Sequence, residues 1–460
     1  MASKTDMTEE EYVKSLIERS RTAQKIVAEY TQEQVDAIAK MYAKVVFDNC
    51  EPLAKIAAEE SRMGVYADKV KKCQAKSRII WNSLRDKKTV GIIARYPEEG
   101  IVEVAKPIGV VCAATPCTNP VVTPMCNAMF AIKGRNTVIV SPHPRSKKTT
   151  KMLAELYYAE LDKMGVPRDV FLYIEDPSIE ATKILMANCD VVLATGGPGV
   201  VKSAYSSGKP SFGVGPGNVQ GIMDEDIDYK EAVSRVIASR IFDNGIICAG
   251  DQTLIAPESK FDEIMDEFKM QGAAYFDDKT TVDRFREVLF PNGVMNKDLV
   301  GQGIEKIAAA VGVEIPAGTK VIMLYPGAFG DKDPLSKEKM CPVMTAYKWR
   351  TFEEAIAIAK ANLDFNGAGH TCSIQSNNKE HVERAGKILP VSRVLVNQSS
   401  ASMAGGSFLN GLNPTTTLGC GTWGNNSIAE NLTYYHLFNR SRISYVKDNP
   451  QIPTDEELWG

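Results

Sequence analysis

The stretch that decides the fold reads Val191-Val192-Leu193-Ala194-Thr195-Gly196-Gly197-Pro198-Gly199. Its first half is a short apolar run typical of a buried strand, and its second half is a glycine-rich turn that leads into a helix. The same order of strand, turn and helix recurs from about residue 106 to residue 214. Continuous apolar strands that alternate with helices predict a doubly wound α/β fold, whose parallel sheet is covered on both faces.

The predicted elements around this stretch fall into three groups. The central series has strands at 110–114, 137–140, 170–174, 191–194 and 212–214, and helices at 119–133, 146–164, 179–187 and up to Tyr205. Before it, residues 8–60 are predicted to be helical, with a capping box at Thr31 and Gln34, and residues 88–106 form a predicted hairpin. After it, a second α/β region has strands at 253–256, 320–324 and 394–396. The late strand 442–446 pairs either with another subunit or back within the chain.

The composition narrows the class of protein. The chain has 460 residues, 44% of them hydrophobic and 24% charged, with a net charge of −3. This charge gives no reason to expect nucleic acid or a membrane surface as partner, and no apolar run reaches the roughly 18 residues that span a bilayer. The polar N-terminus lacks the apolar core of a secretion signal. Ten scattered cysteines without a Cys-x-x-Cys pair argue against a zinc site or disulfides, so we expect a cytoplasmic protein without a metal.

Two loops at the ends of predicted strands are candidates for nucleotide binding. Gly196 and Gly197 let backbone N–H groups approach a phosphate at the positive end of the next helix. Their spacing departs from Gly-x-Gly-x-x-Gly, so a plain turn is an equal alternative. The loop Ser141-Pro142-His143-Pro144 follows the second strand, where the adenosine ribose lies in doubly wound folds; its alternative is a rigid polar turn.

Cys248 and Asn119 are the candidates for covalent chemistry. Cys248 follows the turn signal Asn244-Gly245 in a segment of small residues. A thiolate attacks an aldehyde without a metal, although free buried cysteines are usually inert packing. The amide N–H₂ of Asn119 would stabilise an oxyanion; the structural alternative is a helix N-cap before Pro120.

In this order, the pieces resemble the aldehyde dehydrogenase superfamily, and within it the coenzyme-A-acylating branch. The resemblance covers nearly the whole chain. It rests on Thr-Asn-Pro at 118–120, Ser-Pro-His-Pro at 141–144, Ala-Thr-Gly-Gly at 194–197, Val-Gly-Pro-Gly-Asn at 214–218, Asp-Asn-Gly-Ile-Ile-Cys at 243–248, Glu-Lys-Met-Cys-Pro-Val at 338–343, Ala-Gly-His-Thr at 368–371 and Thr-Leu-Gly-Cys-Gly-Thr-Trp-Gly at 417–424. The chain resembles most the acylating succinate-semialdehyde dehydrogenases, with acetaldehyde and sulfoacetaldehyde enzymes nearby.

The resemblance implies roles for single residues. Cys248 is the expected nucleophile, and Asn119 with the backbone N–H of Cys248 is expected to hold the oxyanion. Glu338 matches the glutamate that binds the nicotinamide ribose, and His370 matches a histidine of the acylating branch. The other residues expected at the cofactor are Thr115, Pro116, Ser141, His143, Pro144, Thr195, Gly196, Gly197 and Gly215. The serines expected near the aldehyde tail are Ser399, Ser400 and Ser402.

Two departures from the family pattern bear on the reaction. Hydrolytic members carry a glutamate that activates water, and alignment on Asn218 places Gly213 there instead. Loss of a general base slows a reaction by about 10² to 10⁴, so the acyl group is expected to pass to the thiol of coenzyme A. The second departure is Gly250-Asp251 after the cysteine, where relatives commonly carry Ser-Glu; it bears on the local geometry and on substrate choice.

The implied protein is an α/β enzyme with the aldehyde dehydrogenase fold. We expect N-terminal helices and a Rossmann-like nucleotide domain over 1–237, with the hairpin for oligomerisation. A catalytic thiol domain is expected over 238–425, and a segment 426–460 that returns to the nucleotide domain and the oligomerisation sheet. The partners are a short aldehyde, coenzyme A, and NAD or NADP, in a homodimer or homotetramer.

Several alternatives stay open. The aldehyde is anionic (succinate semialdehyde or sulfoacetaldehyde) or neutral (acetaldehyde or propionaldehyde). Arg145, Lys147 and Lys148, with no acidic residue near them in sequence, permit the 2′-phosphate of NADP without excluding NAD. A non-acylating aldehyde dehydrogenase and a catalytically silent nucleotide-binding protein are the rival functions.

Overall fold

The structure is a computed structural model that describes residues 7–448 and 450–460, so the polar residues 1–6 of the predicted N-terminus lie outside it. The chain begins with four helices: α1 Glu9–Val27, α2 Gln32–Asp48, α3 Cys50–Ser61 and α4 Tyr66–Leu84. Helix α2 starts at the predicted capping box, in which Thr31 and Gln34 exchange side-chain-to-backbone hydrogen bonds. The predicted hairpin follows as β1 Gly91–Tyr96 and β2 Ile101–Pro107.

The first large sheet is parallel and has five strands. Its elements are β3 Val110–Thr115, α5 Val122–Lys133, β4 Thr137–Pro142, α6 Lys147–Lys163, β5 Phe171–Tyr173, α7 Ile179–Asn188, β6 Val191–Thr195, α8 Pro198–Tyr205 and β7 Ser211–Val214. The strand order is β5-β4-β3-β6-β7. From β3 the chain adds β4 and β5 on one side and then returns to add β6 and β7 on the other side, so the order in which strands are added reverses between β3 and β6. Ligands of doubly wound sheets bind at this reversal, beyond the carboxyl ends of the strands.

The second large sheet is also parallel and has seven strands. Its elements are β8 Val219–Met223, α9 Tyr229–Ile241, β9 Asp251–Pro257, α10 Phe261–Met270, β10 Ala273–Phe276, α11 Lys279–Leu289, α12 Ile304–Val311, β11 Val321–Leu324, β12 Val343–Trp349, α13 Phe352–Phe365, β13 Gly369–Gln375, α14 Lys379–Ile388 and β14 Val391–Val396. The strand order is β10-β11-β12-β9-β8-β13-β14. Helices cover both faces, since buried clusters lie on either side of β8 and β9.

The change of sheets comes earlier than the predicted domain boundary at residue 237. Strand β8, whose residues fall within the predicted 1–237 domain, pairs with β9 and β13 of the second sheet. The physical reason is the segment Gly215-Pro216-Gly217, which ends β7 and carries the chain across to β8.

The last part of the chain returns to the first sheet. After the short helix α15 Ser400–Met403, the apolar residues Ile428, Leu432 and Leu437 pack into the core around β3 and β4. Strand β15 Phe438–Ser444 then pairs with β2 and completes a three-stranded antiparallel sheet, so the late strand pairs within the chain. The chain ends in α16 Asp455–Trp459. Among the described residues, none of the helices has the length and apolarity to cross a membrane.

Candidate active site

The candidate site lies where the carboxyl edge of the first sheet meets the amino edge of the second. Thr115 and Thr195 end the neighbouring strands β3 and β6. On the other side, Cys248, Gly217 and His370 stand at the amino ends of β9, β8 and β13, which are adjacent strands. The two α/β units therefore bring the nucleotide loops and the thiol to one cleft.

Cys248 is half-buried, whereas most of the other cysteines are fully buried. Burial, followed by the nearby Glu338 and Cys420, raises the pKa of its thiol to about 12, and the Arg393 guanidinium opposes this shift. The thiol is therefore protonated at neutral pH in the free protein. It must lose its proton before or during attack on a carbonyl.

The turn that leads to Cys248 has an unusual backbone. Asp243, Asn244 and Gly245 have φ values of 53°, 53° and 70°, so two non-glycine residues in succession are left-handed. Each such residue costs roughly 1–2 kcal/mol, which neighbouring contacts must offset. Arg240, fully buried, donates to the carbonyl of Gly245 and to that of Asp251.

Asn119 lies in the turn between β3 and α5 and is half-buried. Helix α5 starts at Val122 with Val121 as its N-cap, so the alternative that Asn119 caps this helix is wrong. Its side chain instead contacts Lys72, which donates to Asn119 Oδ1 at 2.8 Å. The same Lys72 contacts Asp243 of the thiol-bearing turn at 2.6 Å.

The loops after β3 and β4 form one rim of the cleft. His143 N–H donates to the carbonyl of Thr115, and His143 Nδ1 accepts from the N–H of Arg145. His143 and Pro144 are exposed, whereas the Ser141 hydroxyl is buried against Thr182 of α7 at 2.7 Å. The hydroxyl of Thr115 is buried and has no partner among the described residues.

An acidic residue far away in sequence reaches this rim. Glu60 of α3 accepts from the N–H of Lys148 and from the N–H and hydroxyl of Thr149, each at 2.8 Å. It thereby occupies the N-terminus of α6. No acidic residue lies near Lys147 and Lys148 in sequence, but the fold brings acids to both. Glu60 contacts the backbone N–H of Lys148, and the Lys147 ammonium pairs with Asp176 at 3.4 Å.

The turn after β6 opens onto a cavity of about 650 Å³ between α8 and the C-terminus of α13. Gly215, Pro216, Cys420 and Trp423 line it with the apolar face of α8. A β-carbon at Gly197 or Gly215 would meet nothing within 4 Å, so both glycines border open space. The Thr195 hydroxyl contacts that of Thr417 at 3.1 Å, and the N–H of Gly196 donates to Val214.

Glu338 stands before β12, beside the backbone N–H of Gly217. Desolvation raises the pKa of its carboxyl to about 8, against the pull of Arg240. Its own N–H donates to Asn366 Oδ1 at 3.0 Å, which fixes the backbone that carries it.

His370 is buried behind the thiol. Its Nδ1 lies 2.9 Å from the Thr371 hydroxyl, and burial, then Arg393, lowers the pKa of the ring to about 3. His370 is therefore neutral over the physiological range. Arg393 of β14 holds this region by donating to the carbonyls of His370 and Gly419 at 2.8 and 2.7 Å.

The serine segment after β14 contains one buried hydroxyl, that of Ser400. Ser400 is fully buried, and its hydroxyl has no partner among the described residues. Ser399 is half-buried, and the exposed Ser402 donates to the carbonyl of Ser399. Beside them, Lys76 of α4 donates to the carbonyls of Gly405 and Thr415 at 2.9 and 3.2 Å.

The structure shows the contacts of Gly213 and Asp251, the two positions that depart from the family pattern. Gly213 N–H and carbonyl both contact the Tyr205 hydroxyl at 3.0 Å, and a β-carbon at 213 would lie 3.0 Å from the Tyr205 ring. The sequence contains no carboxylate between Asp190 and Asp224. Asp251 is buried in β9, where Ser373 donates to it.

Sequence reasoning missed three cations of the site: Lys76 and Arg393, which act on the Cys248 thiol, and Lys72, which contacts Asn119. One signal was present, since Lys69, Lys72 and Lys76 recur at the spacing of one helix face. Across residues 7–448 and 450–460, no cluster of His, Cys, Asp and Glu has the makings of a metal site.

Comparison with known proteins agrees with this geometry. Residues 1–281 match the model of the aldehyde dehydrogenase family. Succinate-semialdehyde dehydrogenase (acetylating) from Clostridium kluyveri is 55% identical over 99% of this chain and 100% of that protein. Sulfoacetaldehyde dehydrogenase (acylating) from Bilophila wadsworthia is 37% identical over 97% of this chain and 98% of that protein.

A solved structure extends the match to three dimensions. The crystal structure of an acetylating aldehyde dehydrogenase from Geobacillus thermoglucosidasius has a TM-score of 0.93 at 35% identity, covering 99% of this chain and 100% of that one. The predicted fold class is thus confirmed. The chain belongs to the aldehyde dehydrogenase family and is similar over its full length to members named as acylating or acetylating.

Proposed function

We propose that the protein converts a short aldehyde and coenzyme A into an acyl-coenzyme A, reversibly, through a thioester on Cys248, with NAD or NADP as oxidant. The proposal rests on the position of Cys248, a half-buried thiol where the two sheets meet. The acylating and acetylating names of the full-length relatives support the same reaction.

The residues of the cleft fit a nicotinamide cofactor. Gly197 precedes Pro198 at the N-terminus of α8, and the open space at Gly197 and Gly215 leaves room for a phosphate group. Glu338 is the proposed partner of the nicotinamide ribose. Such a cofactor supplies the hydride acceptor, and these residues bind and orient it.

The chain's own groups account for the remaining steps. The thiolate of Cys248 attacks the aldehyde carbonyl, and the amide N–H₂ of Asn119 and the N–H of Cys248 stabilise the oxyanion. After oxidation, a thioester links the acyl group to Cys248. With no carboxylate on the stretch from 191 to 223, water has no activating base there, so the thiol of coenzyme A takes the acyl group and frees Cys248.

Lys76 supports an aldehyde with an anionic tail. Its ammonium uses two protons on backbone carbonyls. Burial lowers the pKa of Lys76 to about 8, against the smaller opposing effects of Cys126 and Cys248, so Lys76 is mostly charged at pH 7. The unpartnered hydroxyl of Ser400 lies five residues before Gly405, whose carbonyl accepts from Lys76. A cation and a free hydroxyl suit a carboxylate or a sulfonate.

Glu60 supports NAD over NADP. Its carboxylate occupies the N-terminus of α6, beside the loop expected to meet the adenosine ribose. A 2′-phosphate would meet a negative charge and helix amides that are already bonded. A ribose hydroxyl has no such conflict.

The three-stranded sheet supports self-association as a dimer or tetramer. Strands β1 and β15 form its two edges, and apolar side chains around it, including Tyr96, Ile443 and Tyr445, are exposed. Free edges with apolar residues favour pairing with another chain.

The test of the proposed reaction is a steady-state assay on an aldehyde panel with each cofactor, with and without coenzyme A. Sustained formation of reduced cofactor only when coenzyme A is present supports the proposal. Equal rates without it indicate a hydrolytic member of the family, and a Cys248 that resists iodoacetamide at every pH indicates a silent protein.

A further inference from the structure

A buried ion cluster links the thiol-bearing turn to α4. The carboxylate of Asp243 is fully buried and accepts from Lys69 and Lys72, with Nζ–Oδ2 distances of 3.1 and 2.6 Å. Its other oxygen accepts from the backbone N–H of Val65 at 2.7 Å. Burial opposes the charge on Asp243, but Lys72 and Lys69 hold the pKa of this carboxyl below its usual range. Asp243 therefore stays ionised and anchors the Lys72 ammonium.

The remaining contacts of Lys72 decide how Asn119 is oriented. Lys72 Nζ donates to Asn119 Oδ1 at 2.8 Å and to the carbonyl of Thr118 at 3.3 Å. An ammonium has protons to donate and no acceptor, so it faces the oxygen of an amide and never its N–H₂. The N–H₂ of Asn119 therefore points away from Lys72. Among the described residues, the structure shows no protein acceptor for it.

We propose that Lys72, anchored by Asp243, is a positioning residue that turns the Asn119 amide so that its N–H₂ serves the oxyanion formed at Cys248. This inference rests on the proposed function, in which Asn119 is the oxyanion donor. Lys72 itself touches neither the thiol nor the oxyanion. The ammonium also polarises the amide carbonyl, which strengthens the N–H₂ as a donor.

The cluster makes one assembly of the donor and the nucleophile. Asp243 begins the left-handed turn that leads to Cys248, and Asn119 lies in the turn that follows strand β3 of the first sheet. Lys72 bridges them, so the relative position of donor and thiol is set by buried contacts. Oxyanion stabilisation needs a fixed distance between the donor and the thiol, because a donor acts only within about 2.7–3.1 Å of the oxygen that becomes charged.

Lys69 offers a matched control. Both lysines lie on the same face of α4 and donate to the same oxygen of Asp243, but in the described structure only Lys72 contacts Asn119. Lys69→Met and Lys72→Met each remove one ammonium and retain an apolar stem of similar length. A purely structural role predicts similar effects of both changes, and a positioning role predicts different ones.

The experiment measures kcat with aldehyde and coenzyme A, the rate of Cys248 alkylation by iodoacetamide, and thermal unfolding. We expect Lys72→Met to lower kcat by about 10²-fold, the loss typical of a missing oxyanion donor. Alkylation is expected to keep its rate, because it places no charge on a carbonyl oxygen. Lys69→Met is expected to keep kcat within about threefold of the wild-type value. It is expected to lower the melting temperature by as much as Lys72→Met does. If Lys72→Met does not fold, Lys72→Leu, which has no donor and leaves Lys69 on Asp243, replaces it with the same expected results.

A double-mutant cycle with Asn119→Ala separates this inference from the proposed function. In the Asn119→Ala background, Lys72→Met is expected to change kcat by less than about threefold, because the amide that it positions is gone. Equal kcat values in the two lysine variants, an additive effect in the cycle, or a parallel fall in alkylation would each overturn the role of Lys72. Full activity of Asn119→Ala would instead overturn the proposed role of Asn119 itself.

Discussion

Gly217 packs directly on the backbone carbonyl of Cys248. A β-carbon at position 217 would lie 2.1 Å from the oxygen of that carbonyl and 3.0 Å from the ring of His370. The segment that crosses between the two sheets is therefore in contact with the residue that carries the thiol. Any side chain at 217 would displace Cys248 or His370.

This contact predicts a large effect of Gly217→Ala. The added methyl group is expected to shift the Cys248 backbone, lowering kcat/KM by at least about tenfold and stability by about 1–3 kcal/mol. Gly386→Ala is the control, because a β-carbon there meets nothing within 4 Å on helix α14. Steady-state kinetics and thermal unfolding measure both effects. Wild-type kinetics in Gly217→Ala would show that the segment 215–217 can move to accommodate the methyl group without displacing Cys248.

The pKa of Cys248 predicts how the thiol reacts with pH. With a pKa of about 12, the thiol is almost wholly protonated between about pH 7 and pH 9, so the thiolate fraction rises about tenfold per pH unit. The rate of alkylation of the free protein by iodoacetamide, followed by mass, should rise with that slope and show no plateau by about pH 9. Cys248→Ala corrects for alkylation of the half-buried Cys117. A titration midpoint near pH 8.5, about the pKa of an ordinary cysteine, would contradict the predicted burial effect.

Lys76 predicts selectivity for charged aldehydes. We expect Lys76→Met to raise KM for succinate semialdehyde by about tenfold or more, because one partly buried ion pair contributes about 1.4 kcal/mol. KM for propionaldehyde should change by less than about threefold. Lys71→Met, an exposed lysine on the same helix, is the control. Equal changes for both aldehydes would mean that Lys76 does not contact the substrate tail.

Glu60 predicts the choice of cofactor. We expect Glu60→Gln to lower KM for NADP relative to KM for NAD by about tenfold, because the negative charge that repels a 2′-phosphate is removed. Stability should fall by about 1 kcal/mol through the weakened helix cap. The neighbouring exposed Glu59→Gln gives the baseline. An unchanged ratio of KM values would place the ribose elsewhere.

Local patterns were enough to predict much of this fold. Apolar runs and capping signals predict the strands and helices between Val110 and Val214 to within a few residues, because each strand is buried on both faces and its apolar run is unbroken. The position of β8 was harder, since its pairing with β9 and β13 depends on residues far along the chain.

The candidate site also has a part that the sequence predicts and a part that depends on contacts between residues far apart in the chain. Cys248, Asn119 and Glu338 carry chemistry that local sequence and family resemblance indicate. The contact between Lys72 and Asp243 joins residues 171 positions apart, and Glu60 reaches α6 across 88 positions. Such pairs exist only once the chain is folded, so no spacing rule predicts them.

The central claim is that an acyl group forms on Cys248 and leaves only to a thiol. The most direct measurement mixes the protein with aldehyde and oxidised cofactor, quenches in acid, and determines the mass of the Cys248 peptide with and without coenzyme A. We expect about one acyl adduct per subunit without coenzyme A, its loss when coenzyme A is added, and no adduct in Cys248→Ala. Continued turnover without coenzyme A and without an adduct on Cys248 would contradict it.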